Sequence, residues 1–315
     1  MVVHKCVGAA AGRDDVRMQE SFTIRAALES GMSRTRLYRD ASTRPFRGVR
    51  TRSGVLTDHL AKCQAYALLE RDAHLFSHYS AALIHGLPLS RARVPDDVHV
   101  ATFAPAKPPQ MKGVVAHELR PAGHRIVRVD DLRCFSPEDS WAQLSSTLSI
   151  PELVVIGDFI VTGDEPYSGD TDHGTKDDLE RALRHHARRP GIQRLRQAIE
   201  LVRFGSLSPQ ETRLRLALVD AGLPEPELNY RVFDRDCRVA MVDLAYPAER
   251  VAIEYLGDHH RTDQATYQED INRRERLAGA GWDTVFVTSA DLREPVPRAV
   301  MLVRRALARA QANSS

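Results

Sequence analysis

Two strand-like runs, AMVDLAY (240–246) and VAIEYL (251–256), each carry one carboxylate inside an otherwise apolar sequence. The intervening Pro247-Ala248-Glu249 is a turn signal, so the runs read as antiparallel neighbours that bring Asp243 and Glu254 close together. A carboxylate in a buried strand is costly unless it is paired, hydrogen-bonded or metal-bound. This pair therefore constrains the fold and the chemistry together. Strand alternation places Val251, Ile253 and Tyr255 on one face and Ala252, Glu254 and Leu256 on the other.

The flanking signals are equally regular. SPQETRLRLALVDAGLP is a helix with Ser208 as N-cap, Pro209 at its first position and Glu211 three residues on. Leu214, Ala217, Leu218 and Ala221 form its apolar face, and Gly222 with Pro224 ends it. YRVF precedes the two acid-bearing runs as a third antiparallel strand, across a turn at Asp234-Arg235-Asp236. A polar turn, GDHHR, follows with His259, His260 and Arg261. The next helix, from about Asp263 to Ala280, puts Tyr267, Asp270, Arg274 and Leu277 on one face, and the strand DTVFVT closes the segment. Residues 205–295 thus read as an α+β domain with a mixed, mostly antiparallel sheet.

Upstream, the chain reads as a series of modules. Residues 1–17 lack periodicity and are expected to fray. Within 18–55, FTIRAALESGMSRTRLYRD gives a short helix, a turn at Ser30-Gly31-Met32 and a helix opened by Ser33, and PFRGVRTR reads as a strand. This is a winged-helix-like pattern that would turn Arg34, Arg36 and Arg39 toward phosphate, or else a small helical cap with solvated arginines. Residues 56–163 form an α/β block with helices in LAKCQAYALLERD and LFSHYSAALIHGLPL, strands in VHVAT and GVVAHEL, and two helical stretches in PEDSWAQLSSTLSIPELVVIGDFIV. His78, His85, His99, His117 and His124 match no ligand spacing and read as satisfied histidines. Residues 164–178 form a linker, and 179–204 an arginine-rich helix interrupted at Pro190-Gly191 that carries Arg184, Arg188 and Arg189. Residues 296–315 form a C-terminal helix.

Charge separates these modules. The formal net charge of +2 combines ten arginines against sixteen acids over 206–292 with seven arginines against Glu200 alone over 181–203. Arginine makes up 39 of the 44 basic residues; genome coding bias accounts for such a skew, and arginine is also the better phosphate fork. The four cysteines are far apart without a CxxC pair, so neither a zinc knuckle nor a disulfide scaffold is indicated, and a reduced, cytoplasmic setting fits. With no secretory h-region and no run of about 18 apolar residues, export and membrane insertion are not expected.

SPQET, GLPEPELNYRV, VDLAYPAERVAIEYLGDHHR, YQEDINRRERL and GWDTVFVT, in that order, resemble the Vsr-like endonuclease-fold domain of the PD-(D/E)XK superfamily, in an actinobacterial form of unassigned function. SHYSAALIHGLPL and LVVIGDFIV resemble, less sharply, an AbiEi-type antitoxin with a winged helix and an α/β domain. The resemblance implies a restriction-endonuclease-like sheet flanked by helices. It implies Asp243 and Glu254 as ligands of Mg²⁺ or Mn²⁺, Glu211 as a helix acid reaching the same site, and His259 or His260 as a proton-transfer group. Asp270, with Tyr267, would orient the site; Arg274 and Arg261 would hold phosphate. The implied chemistry is metal-assisted hydrolysis of a phosphodiester in nucleic acid, DNA first, in repair or in defence against mobile elements. One position departs from the family: the relatives' E-Y-[D/E]-G is EYLG here, so Leu256 replaces a polar group on the catalytic face.

Ordinary structural roles account for the same residues one at a time. Glu211 can serve a capping box, and Asp243 can accept from a neighbouring backbone or pair with Arg250. Glu254 can pair with His259 or His260, and Asp270 with Arg274. Two functional expectations follow: a metal-dependent endonuclease, or a non-catalytic DNA-binding regulator or antitoxin-like protein built on a degenerate nuclease fold. No partner protein or oligomeric state is legible.

Overall fold

The computed structural model describes residues 21–39, 42–52, 58–69, 71–121, 123–163, 174–234, 237–256, 264–293 and 298–314, without the side chains of 38, 39, 42, 237, 238, 264–271 and 314. The expected tail 1–17 lies outside the described residues. The chain divides into two compact units between Leu144 and Ser145. Both mix helices and sheets, so the protein is a multidomain α+β chain.

The first unit opens with β1 (Ser21–Thr23), α1 (Ile24–Glu29), α2 (Arg34–Arg39), β2 (Ser42–Thr43) and β3 (Val49–Arg52), in an antiparallel sheet ordered β1-β3-β2. The expected helix starts later than its apolar pattern suggests. The Thr23 hydroxyl accepts from the backbone N–H of Ala26 at 3.1 Å, which fixes the cap and leaves residues 21–23 to pair with β3. The expected strand PFRGVRTR narrows to Val49–Arg52, because Gly48 turns the chain at φ +95.

The rest of this unit comprises α3 (His59–Ala67), β4 (Leu75–Phe76), α4 (His78–Ile84), β5 (Val98–Phe103), β6 (Val114–Leu119), β7 (Ile126–Val129), β8 (Leu132–Phe135) and α5 (Pro137–Gln143). Its sheet runs β6-β5-β4-β8-β7, with β5–β6 and β4–β8 parallel. Cys63, Tyr66, Phe76, Val98, Val100 and Phe135 fill the core between helices and sheet. The sequence reading missed β4, β7 and β8. Leu75–Phe76 is too short for a period-2 signal, and β7–β8 is a tight hairpin over Asp130-Asp131 with Asp130 at φ +49.

The second unit contains α6 (Ile150–Thr162), α7 (Lys176–His185), α8 (Ile192–Leu201), α9 (Pro209–Asp220), β9 (Glu227–Asp234), β10 (Cys237–Tyr246), β11 (Val251–Leu256), α10 (Gln264–Gly279), β12 (Asp283–Thr288) and α11 (Arg298–Ser314). Its sheet order is β12-β11-β10-β9, antiparallel except for parallel β11–β12. Val251 and Ile253 pack with Leu214, Leu218, Val303 and Leu307, whereas Ala252 packs with Leu277 on the opposite face, as alternation requires. The linker expected to reach residue 178 ends sooner, because Thr175 and Asp178 form a capping box that starts α7 at Lys176.

The division after Leu144 places α6 with the second unit instead of with the block read as 56–163. Helix α6 packs on α8 and α9, and a glycine permits the close approach. A Cβ on Gly157 would stand 2.5 Å from Val202 Cγ2. Gly157→Ala is therefore expected to cost about 1–3 kcal/mol through overpacking, read as a lower denaturation midpoint of the second unit.

Candidate active site

Strands β10 and β11 pair Leu244 with Ile253, so Asp243 and Glu254 are the next residues along the two strands. Both line one cleft of about 120 Å³ with Tyr255, Leu256, Arg273, Arg274, Leu277 and Phe286. Asp243 is half-buried, and its Oδ2 accepts the backbone N–H of Tyr255 at 2.7 Å. Glu254 is only 7% exposed. Its Oε1 receives Arg273 Nη2 at 2.6 Å, and the same guanidinium donates to the carbonyl of Met241. Arg273 Nε is buried without a hydrogen-bond partner among the described residues. Arg274 lies over the Phe286 ring, 3.8 Å from its centroid, a cation–π contact.

Glu211 is buried and has a double role. Its Oε2 accepts the backbone N–H of Leu207 at 2.9 Å and Asn229 Nδ2 at 3.1 Å, while its own N–H donates to Ser208 Oγ. Burial first, and then the charge of Asp243, push its carboxyl up to about 7. Glu211 feels the site without lining the cleft. A raised carboxyl pKa means that the folded chain keeps a proton that the unfolded chain releases near 4.5, so stability falls as pH rises from about 4.5 to about 7. Glu211→Gln is expected to remove this dependence, roughly 3 kcal/mol, in urea unfolding of the metal-free protein at pH 4.5 against pH 8.

The other expected residues separate. His259, His260 and Arg261 lie outside the described residues. Tyr267 and Asp270 belong to α10, but their side chains lie outside the described set, as does that of Arg39 on α2. Arg34 and Arg36 are exposed on α2, in the first unit. Arg184 and Arg188 are exposed and Arg189 half-buried around the end of α7, with Arg184 3.8 Å from Glu180. Arg273 was missed. The signal was available: it precedes buried Leu277 by four residues and so shares its helical face. Leu256 lines the cleft at the position where the resemblance implies a polar group.

Fold and site together define an α+β multidomain protein whose second unit carries a paired-carboxylate cleft beside two arginines. No family model matches the chain. Two curated relatives from Mycobacterium tuberculosis, uncharacterized protein Rv2248 of strain H37Rv and uncharacterized protein MT2308 of strain CDC 1551, are each 29% identical over 136 residues. The match covers 43% of this chain and 50% of each relative, so the chain spans about half the length of the curated relatives it matches. Among solved structures, the RV2827C protein from Mycobacterium tuberculosis aligns over 70% of this chain and 85% of its own, with 15% identity and a TM-score of 0.37. No described helix is long and apolar enough to cross a membrane.

Proposed function

We propose that the second unit is a Mg²⁺- or Mn²⁺-dependent endonuclease of the restriction-endonuclease-like, Vsr-like kind, hydrolysing phosphodiester bonds of nucleic acid, DNA first. The observation that carries the reading is the convergence of Asp243 and Glu254, from neighbouring strands, on one cleft. Two carboxylates are hard oxygen donors of the kind such a cation prefers. When bound, the ion would polarise a phosphoryl oxygen and lower the pKa of a water. The chain's own residues would do the rest: Asp243 and Glu254 would hold the ion, and Arg273 and Arg274 would neutralise the phosphate. The arginine on Glu254 offsets a buried charge that a cation would otherwise offset. Because the domain is acidic, the strand would be drawn in by exposed arginines elsewhere, Arg34 and Arg36 or Arg184 and Arg188.

A second reading is favoured by Leu256 in the cleft and by the Arg273 bridge across it: a non-catalytic, DNA-binding, antitoxin-like regulator. Supercoiled plasmid incubated with Mg²⁺ or Mn²⁺ separates the two. The hydrolase reading expects metal-dependent nicking by the wild type and its loss in Asp243→Asn; equal background in both overturns it. The regulator reading then stands if gel shifts weaken on neutralising Arg34 and Arg36, and falls if DNA retention is unchanged.

A further inference from the structure

The first unit holds a cluster that this chemistry does not use. His78 opens α4, His99 lies on β5 and His117 on β6. In the parallel β5–β6 register Ala101 faces His117, so His99 and His117 occupy the same sheet face, two residues apart. His99 Nδ1 lies 3.0 Å from His117 Nε2, and the His78 ring stacks on His117 with centroids 3.7 Å apart. One nitrogen from each of the three rings lies within 4.8 Å of the other two. Spacing along the chain gave no hint of this group, because the fold alone assembles it.

The chemistry of the cluster is that of a ligand set. Two imidazole nitrogens 3.0 Å apart cannot both carry hydrogen, so at least one lone pair points into the cluster. Donor nitrogens at about 2.0–2.1 Å from a tetrahedral ion lie roughly 3.3 Å from one another, close to the spacing of the His99–His117 pair. His78 is held in place by its backbone N–H, which donates to Gln143 Oε1 at 2.7 Å, and it sits at φ +49, a costly conformation for a histidine.

We propose that His78, His99 and His117 form a binding site for a divalent transition-metal cation of the zinc class, with the fourth position open to water or a ligand. Imidazole suits Zn²⁺, Cu²⁺ and Ni²⁺, whereas Mg²⁺ prefers oxygen, so this site and the carboxylate cleft take different ions. A metal lies near the plane of each ligand ring, so binding turns His78 off its stack on His117. His78 and His117 are half-buried and β6 is an edge strand, which leaves the site reachable from solvent.

The test is titration of the full, tag-free chain, stripped with chelator, with Co²⁺ followed by Zn²⁺. The expected result is one equivalent of Co²⁺ with visible d–d bands, displaced by Zn²⁺ and not by excess Mg²⁺. His99→Ala and His117→Ala should each weaken binding by roughly 100-fold or more, beyond the loss typical of an outer-shell partner. His85→Ala, outside the trio, should leave it unchanged. Circular dichroism monitors folding; if buried His99→Ala unfolds, His78→Gln and His117→Gln on the more exposed rings carry the test. Absence of saturable Co²⁺ binding, or binding unaffected by every substitution in the trio, overturns the proposal.

Discussion

Arg215→Met is expected to lower the stability of the second unit by about 3–5 kcal/mol, the cost of removing one partner of a buried ion pair. Arg215 on α9 and Asp158 on α6 are each 1% exposed and meet at 2.9 Å. The same guanidinium donates to the carbonyl of Leu201 at 2.8 Å and to Glu225 Oε1 at 2.8 Å. Asp158 also accepts the backbone N–H of Arg203 and the hydroxyl of Thr212. These bonds tie α6, the end of α8, α9 and the segment before β9 into one block. Burial raises the Asp158 carboxyl, and Arg215 pulls it back, so loss of the arginine leaves a desolvated charge behind. Asp158→Asn in the Arg215→Met background keeps the acceptor for Arg203 and deletes that charge. The double variant is therefore expected to recover at least half of the loss. Hydrogen exchange in β9–β12 under mild denaturant measures both; a single variant within 1 kcal/mol of wild type would show that the network is not a stabilising hub.

The α9–β9–β10–β11–α10–β12 order was legible because its signals are local and strong. Ser208 and Pro209 cap α9, the strands alternate cleanly, and Gly281 ends the turn after α10 at φ +79. The Asp243–Glu254 pair followed from a short turn between two strands. What the sequence hid depends on pairings distant along the chain. Asp158 stands out as a charge in the apolar helix LVVIGDFIV, but its partner lies 57 residues away. The His78, His99 and His117 trio exists only once β5 and β6 pair in parallel. Strand β4 is held between β5 and β8, and β8 between β4 and β7, not by their own two- and four-residue patterns. Arg273 was missed for a different reason: any helix face admits both i−3 and i−4 neighbours of Leu277, and Arg274 also stands four residues after Asp270, an ion-pair spacing.

Asp243→Asn and Glu254→Gln are expected to reduce metal-dependent plasmid cleavage by roughly 1,000-fold or more. Electrostatic stabilisation by a bound cation contributes several kcal/mol to such a transition state, and each 1.36 kcal/mol is tenfold in rate. Arg273 refines the expectation. In the metal-free protein it neutralises Glu254, so Arg273→Gln should leave Mn²⁺ affinity no weaker while slowing cleavage through loss of a cation beside the phosphate. A purely structural Arg273 would instead show unchanged turnover in the folded fraction. Leu256 supplies the opposite sign. It lines the cleft with Asp243 and Glu254, and an aspartate there would add a third hard oxygen donor. Leu256→Asp is expected to tighten Mn²⁺ roughly tenfold, equivalent to about 1.4 kcal/mol, in calorimetric titration. Loss of cleavage in Asp243→Asn together with tighter metal in Leu256→Asp would place the ion in this cleft. Equal Mn²⁺ affinity in wild type, Asp243→Asn and Leu256→Asp would instead leave the carboxylate pair as a structural feature of a binding module.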